Sequence, residues 1–182
     1  MSTTANYALR YPAPTDDVQL WLHYQHLADD VDAALLAATA GVTVDAADNS
    51  VTDGTTTSVT FTNTLTTTGI RGVAFVAPTS GKVRVSVTCG GKNSTINKYT
   101  LIDFEVRTGG TVGSGSVVRA CDENTCSQVQ SIAAGQVGQH SIAGRLVSGL
   151  TPGVTYNACI AYRVDANTGT INRRVITVEP VR

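Results

Sequence analysis

Asp103 and Glu105, two carboxylates separated by one residue, are the side chains in this sequence best spaced for acid–base chemistry. On a β-strand, residues i and i+2 lie on the same face, which would put these carboxyl groups roughly 6–7 Å apart. A glycoside hydrolase could use that separation. The neighbouring sequence supplies neither a pocket nor a residue to orient the pair, and Arg107 continues the same face. We therefore interpret the pair as a solvated strand face, and we predict no catalytic residue and no enzymatic activity.

Other aspartate and histidine residues lack the spacing of a metal site. Asp45, Asp48 and Asp53 do not follow the every-second-residue pattern of a calcium loop. His23 and His26 lie one helical turn apart, so symmetric copies of a helix could bind a metal or sense pH, although half-exposed flanking positions are the simpler interpretation. Three copies of one carboxylate could also gather an ion at a symmetry axis. From the chain alone, we predict no metal and no cofactor.

The four cysteines, Cys89, Cys121, Cys126 and Cys159, show no C-x-x-C spacing and no accompanying histidine cluster, which argues against a zinc site. Cys121 and Cys126 flank the polar turn in ACDENTCS and could close a small disulfide under oxidising conditions. Folding in a cytosol keeps thiols reduced, which favours two free thiols instead. His140 is predicted to lie in the loop GQVGQH; it has no evident Cys or Asp partner and is not expected to belong to a catalytic triad.

One amphipathic helix is predicted, in a chain whose other patterns are those of β-strands. Pro12 and Pro14 exclude helix from residues 1–14, which we predict to be an extended arm. The helix then spans residues 15–40, with Asp16 as its N-cap. Its apolar residues recur in alternating steps of four and three, as in a coiled coil. These residues are Leu20, Tyr24, Leu27, Val31, Ala34 and Ala38. A helix of this length is marginal alone, so we expect copies of the chain to associate through it; the alternative is packing on the chain's own β domain.

Residues 41–69 are rich in threonine and are predicted to form a linker and the first strands. Val59, Phe61 and Leu65 share one face of an alternating pattern, which is typical of a half-buried strand pair or an extended edge strand. The Asp-Gly dipeptide at 53–54 has the sequence of a tight turn, and DAADNS before it is predicted to be a loop.

Residues 70–182 show strands separated by turn signals such as TPGV and NTG, with no internal repeat. Tyr156 and Tyr162 alternate with small or aliphatic residues and fit either a core face or a subunit contact. The opposite face of that strand is small and polar enough to suit a symmetric interface: Asn157, Cys159, Ala161 and Arg163. Eight or nine strands without a helix predict a mainly β fold, with an antiparallel two-sheet sandwich of the jelly-roll type as its head.

The composition narrows the range of partners. With 13 Lys and Arg against 14 Asp and Glu, the formal net charge is −1, which gives no electrostatic reason to expect nucleic acid or an anionic membrane. Charged residues make up 15% of the chain, below the usual ~25%, and Thr, Ser, Asn and Gly supply the polarity instead. No apolar segment has the length of a signal peptide or a membrane span, so we expect folding in a cytosol, or export by a route that needs no cleaved signal.

Two sets of sequence phrases resemble a known family. They are YPAPTDDV and LADDVDAAL near the N-terminus, and GVAFVAPTSGKVRVSV, GGTVGSGSVVRAC, RLVSGLTPGVTYNACIAYRV and NTGTINRRVITVEP further on. The chain resembles minor tail or tail-fibre-like structural proteins of actinobacterial phages and prophages. Its distal half is similar in outline to trimeric jelly-roll heads of the tumour-necrosis-factor and complement type. The bulky Trp21, His23, Tyr24 and His26 and the threonine-rich residues 52–68 depart from the family pattern.

This resemblance implies a non-enzymatic virion protein, assembled in the bacterial host cytoplasm, that forms a homotrimer. Residues 1–40 would attach it to other virion proteins, and the head at 70–182 would project for host adhesion or tail-tip assembly. A capsid decoration protein or head fibre would use the same plan. A carbohydrate-binding head without catalytic activity is a further alternative, with Tyr99, the loop GGKNSTINK and the DENT turn as candidate surfaces for a host-cell glycan.

Overall fold

Twelve β-strands and one helical segment are present in the described part of the chain. The computed structural model describes residues 2–3, 10–11, 27–31, 44–48, 53–133 and 136–181, of which 27–31 are helical. The strands are β1 (Ser2–Thr3), β2 (Arg10–Tyr11), β3 (Val44–Asp48), β4 (Gly54–Thr56), β5 (Gly72–Val76), β6 (Val83–Asn93), β7 (Tyr99–Thr108), β8 (Val117–Arg119), β9 (Ser127–Gln130), β10 (Gly138–Val147), β11 (Thr155–Val164) and β12 (Gly169–Pro180). The prediction of a mainly β fold is confirmed.

Strands β3 to β12 form two antiparallel sheets that pack as a sandwich. One sheet has the order β10-β6-β12-β3, with β4 also paired to β12, and the other has the order β5-β11-β7-β8, with β9 also paired to β7. The first strand of the sandwich, β3, pairs with the last, β12; β5 pairs with β11, β6 with β10, and β7 with β8 and β9. This is the connectivity of a long hairpin rolled up on itself, so the predicted jelly roll is confirmed.

The core lies between the sheets and follows from alternation along the longest strands. In β6, every second residue from Val83 to Cys89 is buried, and in β7 Ile102, Phe104 and Val106 are buried in the same core. Successive side chains of a strand point to opposite faces, so each strand delivers one apolar row to the space between the sheets. Removing these rows from water supplies most of the free energy that holds the two sheets together.

The second sheet is buried on its outer face as well, because segments of the same chain lie over it. Strands β7 and β11 show nearly continuous burial along their length. Asn63 and Gly113, which belong to connecting segments, hydrogen-bond to Glu105 and Asn157 on that face. Asn157 and its face neighbours Cys159 and Ala161 are therefore already covered. The prediction of a symmetric subunit contact on this face is wrong, since the chain itself occupies it.

The threonine-rich segment contains less strand than its alternation indicates. After Gly54–Thr56, a single bridge joins Thr62 to Tyr162. Hydroxyl groups account for the difference, because Ser and Thr side chains can bond the backbone two residues away and so compete with a strand ladder. Thr56 Oγ1 accepts the N–H of Ser58 at 3.1 Å, and Thr62 Oγ1 accepts the N–H of Thr64 at 3.3 Å.

The prediction that Val59, Phe61 and Leu65 share one buried face of a strand is therefore wrong. Leu65 is buried, whereas Val59 is 56% exposed. The tight turn predicted at residues 53–54 is also absent, because Gly54 begins β4 and pairs with Ile171.

The N-terminal predictions fall only partly on described residues. In the predicted arm, β1 pairs antiparallel with β2. Of the helix predicted at 15–40, residues 27–31 are helical and the others lie outside the described residues. The loop predicted for DAADNS is wrong over residues 45–48, because β3 pairs with β12 there. Within the described ranges, no helix has the length and apolar character needed to cross a membrane.

Candidate functional site

Asp103 lies at the centre of a buried ionic cluster on the outer face of β7. Its side chain is fully buried and its carboxylate accepts from Arg119 Nη2 at 3.1 Å and Arg145 Nη1 at 2.9 Å. The backbone N–H of Asp122 donates to its second oxygen at 2.8 Å. The Arg119 guanidinium also lies over the Phe104 ring, 3.8 Å from its centroid, which adds a cation–π contact. One carboxylate thus joins β7, β8, β10 and the turn after β8.

Glu105, two residues further along, is held by a second cluster. Arg107 Nε donates to Glu105 Oε1 at 2.8 Å and Arg107 Nη2 donates to Oε2 at 2.9 Å, a bidentate pair. Asn63 Nδ2 donates to Oε1 at 2.9 Å, and the Cys159 thiol lies 3.2 Å from the same oxygen. Burial alone would raise the pKa of Glu105, but the hydrogen bonds from Arg107, Cys159 and Asn63 outweigh it and hold the pKa below its ordinary value.

The interpretation of Asp103 and Glu105 as a solvated strand face is wrong. Alternation correctly put both carboxylates on the face away from the core, but it did not reveal that this face is covered by the chain's own loops. A general acid or base must reach a substrate atom through a free lone pair or proton. Here the oxygens of both groups are occupied by arginine, amide, thiol or backbone donors. The two clusters fasten loops to the sheet.

All four cysteine thiols are free in the structure. Cys89 and Cys159 are buried, and Cys121 and Cys126 are partly exposed. Burial, with the nearby charge of Asp103 adding to it, raises the pKa of Cys121 to about 12, and burial also raises the pKa of Cys126. The thiolate is the species that attacks in disulfide formation, so both thiols are poorly reactive as they stand. A Cys121–Cys126 disulfide stays a prediction.

His140 is a buried strand residue, so the prediction that it lies in a loop is wrong. It lies in β10, where Thr100 Oγ1 is 2.9 Å from Nε2 and the carbonyl oxygen of Ser127 is 3.2 Å from Nδ1. Burial lowers its pKa to about 4, which keeps the imidazole neutral near pH 7. The flanking glycine Gly91 leaves room for the ring, because a Cβ there would stand 2.6 Å from Nε2.

The predicted association stripe is described at two of its six positions. Leu27 and Val31 lie four residues apart on the helical segment, and they are 43% and 49% exposed. The remaining four positions, Leu20, Tyr24, Ala34 and Ala38, lie outside the described residues, as do His23 and His26. The association itself stays a prediction.

The surfaces proposed for a glycan are partly confirmed as exposed loops. The DENT turn, residues 122–125, is exposed throughout. In GGKNSTINK, residues 90–93 belong to β6 and only 94–98 form a loop, in which Ile96 is 50% exposed. Tyr99 begins β7 and is half-buried. Within the described ranges, no group of three or more His, Cys, Asp or Glu side chains could hold a metal ion.

A groove on the outer face of the first sheet was missed by the sequence analysis. It encloses about 290 Å³ where β10, β6 and β12 run side by side, and Gln139, Gly90, Asn172 and Arg173 are among its lining residues. The sequence of β12 contains one signal of this groove, because the buried residues Ile171 and Ile176 are an odd number of positions apart. An odd step in an alternating pattern indicates a β-bulge, and the bulge forms one side of this groove.

No protein-family model matches this chain, and no curated protein matches it. Among solved structures, it is similar to the structure of infectious bursal disease virus Gt strain, with a TM-score of 0.48, 7% identity, and coverage of 77% of this chain and 33% of that chain. It is also similar to the structure of the Gx strain, with a TM-score of 0.37, 8% identity, and coverage of 76% and 29%. The chain spans about a third of the length of these structures. Likenesses this distant carry no inference about function.

Proposed function

We propose that this chain is a non-enzymatic structural protein of a tailed-phage virion, of the minor tail or tail-fibre-like kind. In this proposal three copies associate through the N-terminal helix, residues 1–40 attach the trimer to other virion proteins, and the jelly-roll head projects. The head then serves host adhesion or completes the tail tip. Mechanically, such a protein works by rigidity and multivalency, since three weak head contacts on one particle act as one strong attachment.

The observation that carries this proposal is the pair Leu27 and Val31. Both are apolar, both lie on a helical segment at i and i+4, and about half of each side chain is left in water by the rest of the chain. Residues four apart lie on the same face of a helix. The sandwich has a closed core of its own and buries its second sheet on both faces. A second and third copy of the helix would cover the stripe that one chain leaves open.

The buried carboxylates agree with a structural role. Asp103 and Glu105 are neutralised by arginines within the fold, and each ties a loop to the sheet. A head that must keep its shape outside the cell gains more from such fastening than from a reactive pair. A non-catalytic carbohydrate-binding head is the second candidate, favoured by the groove at Gly90.

The decisive experiment is the solution mass of the intact chain and of two variants. We expect about three times the 18.9 kDa of one chain by light scattering or sedimentation equilibrium. In Leu27→Glu/Val31→Glu the mass should fall to that of one chain, because charges would replace the apolar stripe at the helix contact. Glutamate is a good helix former, so the substitution does not act by breaking the helix.

Ala28→Glu is the matched control, because it adds the same side chain at an exposed position of the same segment, off the stripe. It should keep the mass of the wild type. An intact wild-type chain that sediments as a single copy at high concentration would overturn the proposed trimer. If the double variant keeps the threefold mass, the helix is not the contact.

A further inference from the structure

The groove on the first sheet is built around a glycine flanked by two amides. Gln139 of β10 and Asn172 of β12 are the direct cross-strand partners of Gly90 in β6. Neighbouring strands lie about 4.8 Å apart, so the two amides stand on either side of a floor that has no side chain. A Cβ at Gly90 would collide with the Asn172 side-chain oxygen and approach Val137 to 3.0 Å. Glycine here keeps the groove open.

A β-bulge turns two polar residues toward the groove side of β12. Gly90 of β6 pairs with Asn172, and Thr88 pairs with Val175. Between these two pairs, two residues of β12 oppose one residue of β6. The extra residue, Arg173, has a φ of 48° and is exposed. That left-handed conformation is costly for a residue with a Cβ. Bulges of this kind re-aim side chains and are concentrated next to functional sites. Here the bulge adds a guanidinium beside an amide on one wall.

The side-chain oxygen of Asn172 is a hydrogen-bond acceptor that lacks a donor among the described residues. Its Nδ2 donates to Asp53 Oδ1 at 3.0 Å, and a carboxylate can only accept, which fixes which way the amide faces. Its Oδ1 is buried at the groove floor, and no described residue donates a hydrogen bond to it. A buried acceptor left unpaired costs free energy, and a donor placed in the groove would recover it.

We propose that this groove binds one acidic sugar unit of a host-surface polysaccharide, with the carboxylate of the sugar paired to Arg173 and its hydroxyl groups bonded to Asn172 and Gln139. Hydroxyl groups can donate to Asn172 Oδ1 and also accept from the Gln139 amide, which suits a polyol better than a simple anion. The Arg173 guanidinium is suited to a planar carboxylate. Val137, 47% exposed at the rim, offers an apolar surface for the C–H face of the ring.

The volume of the groove and the charges around it agree with an acidic sugar as the ligand. A groove of about 290 Å³ is at the small end of ligand pockets, which suits a single ring and not a long chain. The nearby carboxylate of Asp53 is engaged by Asn172. Lys92 follows Gly90 by two residues on the same face of β6, so this face of the sheet carries a second cation.

This site deepens the adhesion role proposed above and rests on it for its biological meaning, but its test does not depend on the trimer. The intact chain is titrated with the methyl glycosides of glucuronic, galacturonic and mannuronic acid and with the three matching neutral sugars, and binding is followed by saturation-transfer NMR. Inorganic sulfate serves as the probe for a plain anion, and because it has no protons to observe, its binding is followed by its displacement of the bound uronide. At least one uronide should bind about tenfold or more tightly than its neutral counterpart, as expected for one charge-assisted pair.

Two variants and one control assign the contacts. Arg173→Gln should abolish the preference for the acidic sugar and leave the weaker binding of the neutral sugar unchanged. Asn172→Ala should weaken both. Arg84→Gln removes the same charge from an exposed position six residues away on the same face of β6, and it should change neither. Thermal melting followed by circular dichroism establishes that each variant is folded.

The outcomes separate this site from the proposed assembly. No uronide binding at millimolar concentration, equal binding of acidic and neutral sugars, or a preference that survives in Arg173→Gln would overturn the site. Sulfate that binds as tightly as the best uronide would overturn its saccharide part. A trimer that binds no sugar leaves the assembly standing without this site, and a monomer that binds uronides leaves the site standing without the trimer.

Discussion

At the scale of single residues, Asp103 contributes to stability by joining segments that are distant in sequence. Its donors come from β8, from β10 of the opposite sheet, and from the turn that follows β8. A buried charge that loses its partner is strongly destabilising, because the remaining charge has neither water nor a counter-ion. The stability of this cluster therefore depends on the single carboxylate of Asp103 more than on either arginine.

We expect Asp103→Asn to lower the free energy of unfolding by about 3 kcal/mol, since it leaves Arg119 and Arg145 without their shared anion. Denaturant unfolding of the purified variant measures this. Glu123→Gln is the control, because Glu123 pairs with Arg163 from an exposed position, where screening by water makes the loss of such a pair small. Equal losses in the two variants would contradict a central role for Asp103.

His140 gives the head a defined dependence on pH. Its pKa is lowered from 6.5 to about 4 in the folded chain, chiefly by burial. Between these values the unfolded chain binds a proton that the folded chain does not. The stability that neutral His140 provides is therefore complete above pH 6.5 and is lost as the pH falls toward 4, by up to about 1.4 kcal/mol per pH unit.

Urea unfolding between pH 7 and pH 5 should show this slope in the wild type and a flatter one in His140→Gln. Glu105 does not interfere, because its pKa is lowered from 4.5 and its contribution is lost only below that value. The difference between wild type and variant isolates His140 from the other two histidines of the chain. Parallel profiles would mean that His140 is protonated in the folded state as readily as in the unfolded state.

At the scale of elements, alternation of apolar and polar residues was sufficient for the long strands of the sandwich. In β6 and β7 the buried face is the one that the pattern indicates. The strands in the second half of the chain also lie where apolar runs predict them. The turn at Asn167, whose φ is 60°, lies where its turn residues predict it. These elements bury one apolar row each, and a local pattern suffices to specify that.

Alternation failed where a segment's partner is distant in sequence or where side chains bond their own backbone. The outer face of β7 looks solvated from sequence, and only the fold brings Asn63, Arg119 and Arg145 over it. The threonine run has a strand pattern, but its hydroxyl groups bond locally. The groove depends on three strands meeting at Gly90, a contact that no window of sequence contains.

At the scale of the whole molecule, the sandwich includes strands that precede the predicted head boundary at residue 70. β3 and β4 pair with β12 along Val44–Asp48 and Gly54–Thr56. Leu65 belongs to the hydrophobic core. Residues 41–69 are thus structural parts of the sandwich, whatever linking role they also have.

We therefore expect a chain beginning at residue 42 to fold and a chain beginning at Gly69 to fail. Without β3 and β4, one edge of β12 loses all the partners it has in the described ranges, and an uncovered edge of a long strand promotes aggregation. Loss of Leu65 adds a core cavity, which typically costs about 2–5 kcal/mol for a buried leucine. Both chains lack the helix, so any difference between them arises from residues 42–68. A cooperative melting transition at the same temperature in both chains, followed by circular dichroism, would mean that the head is complete without its first two strands.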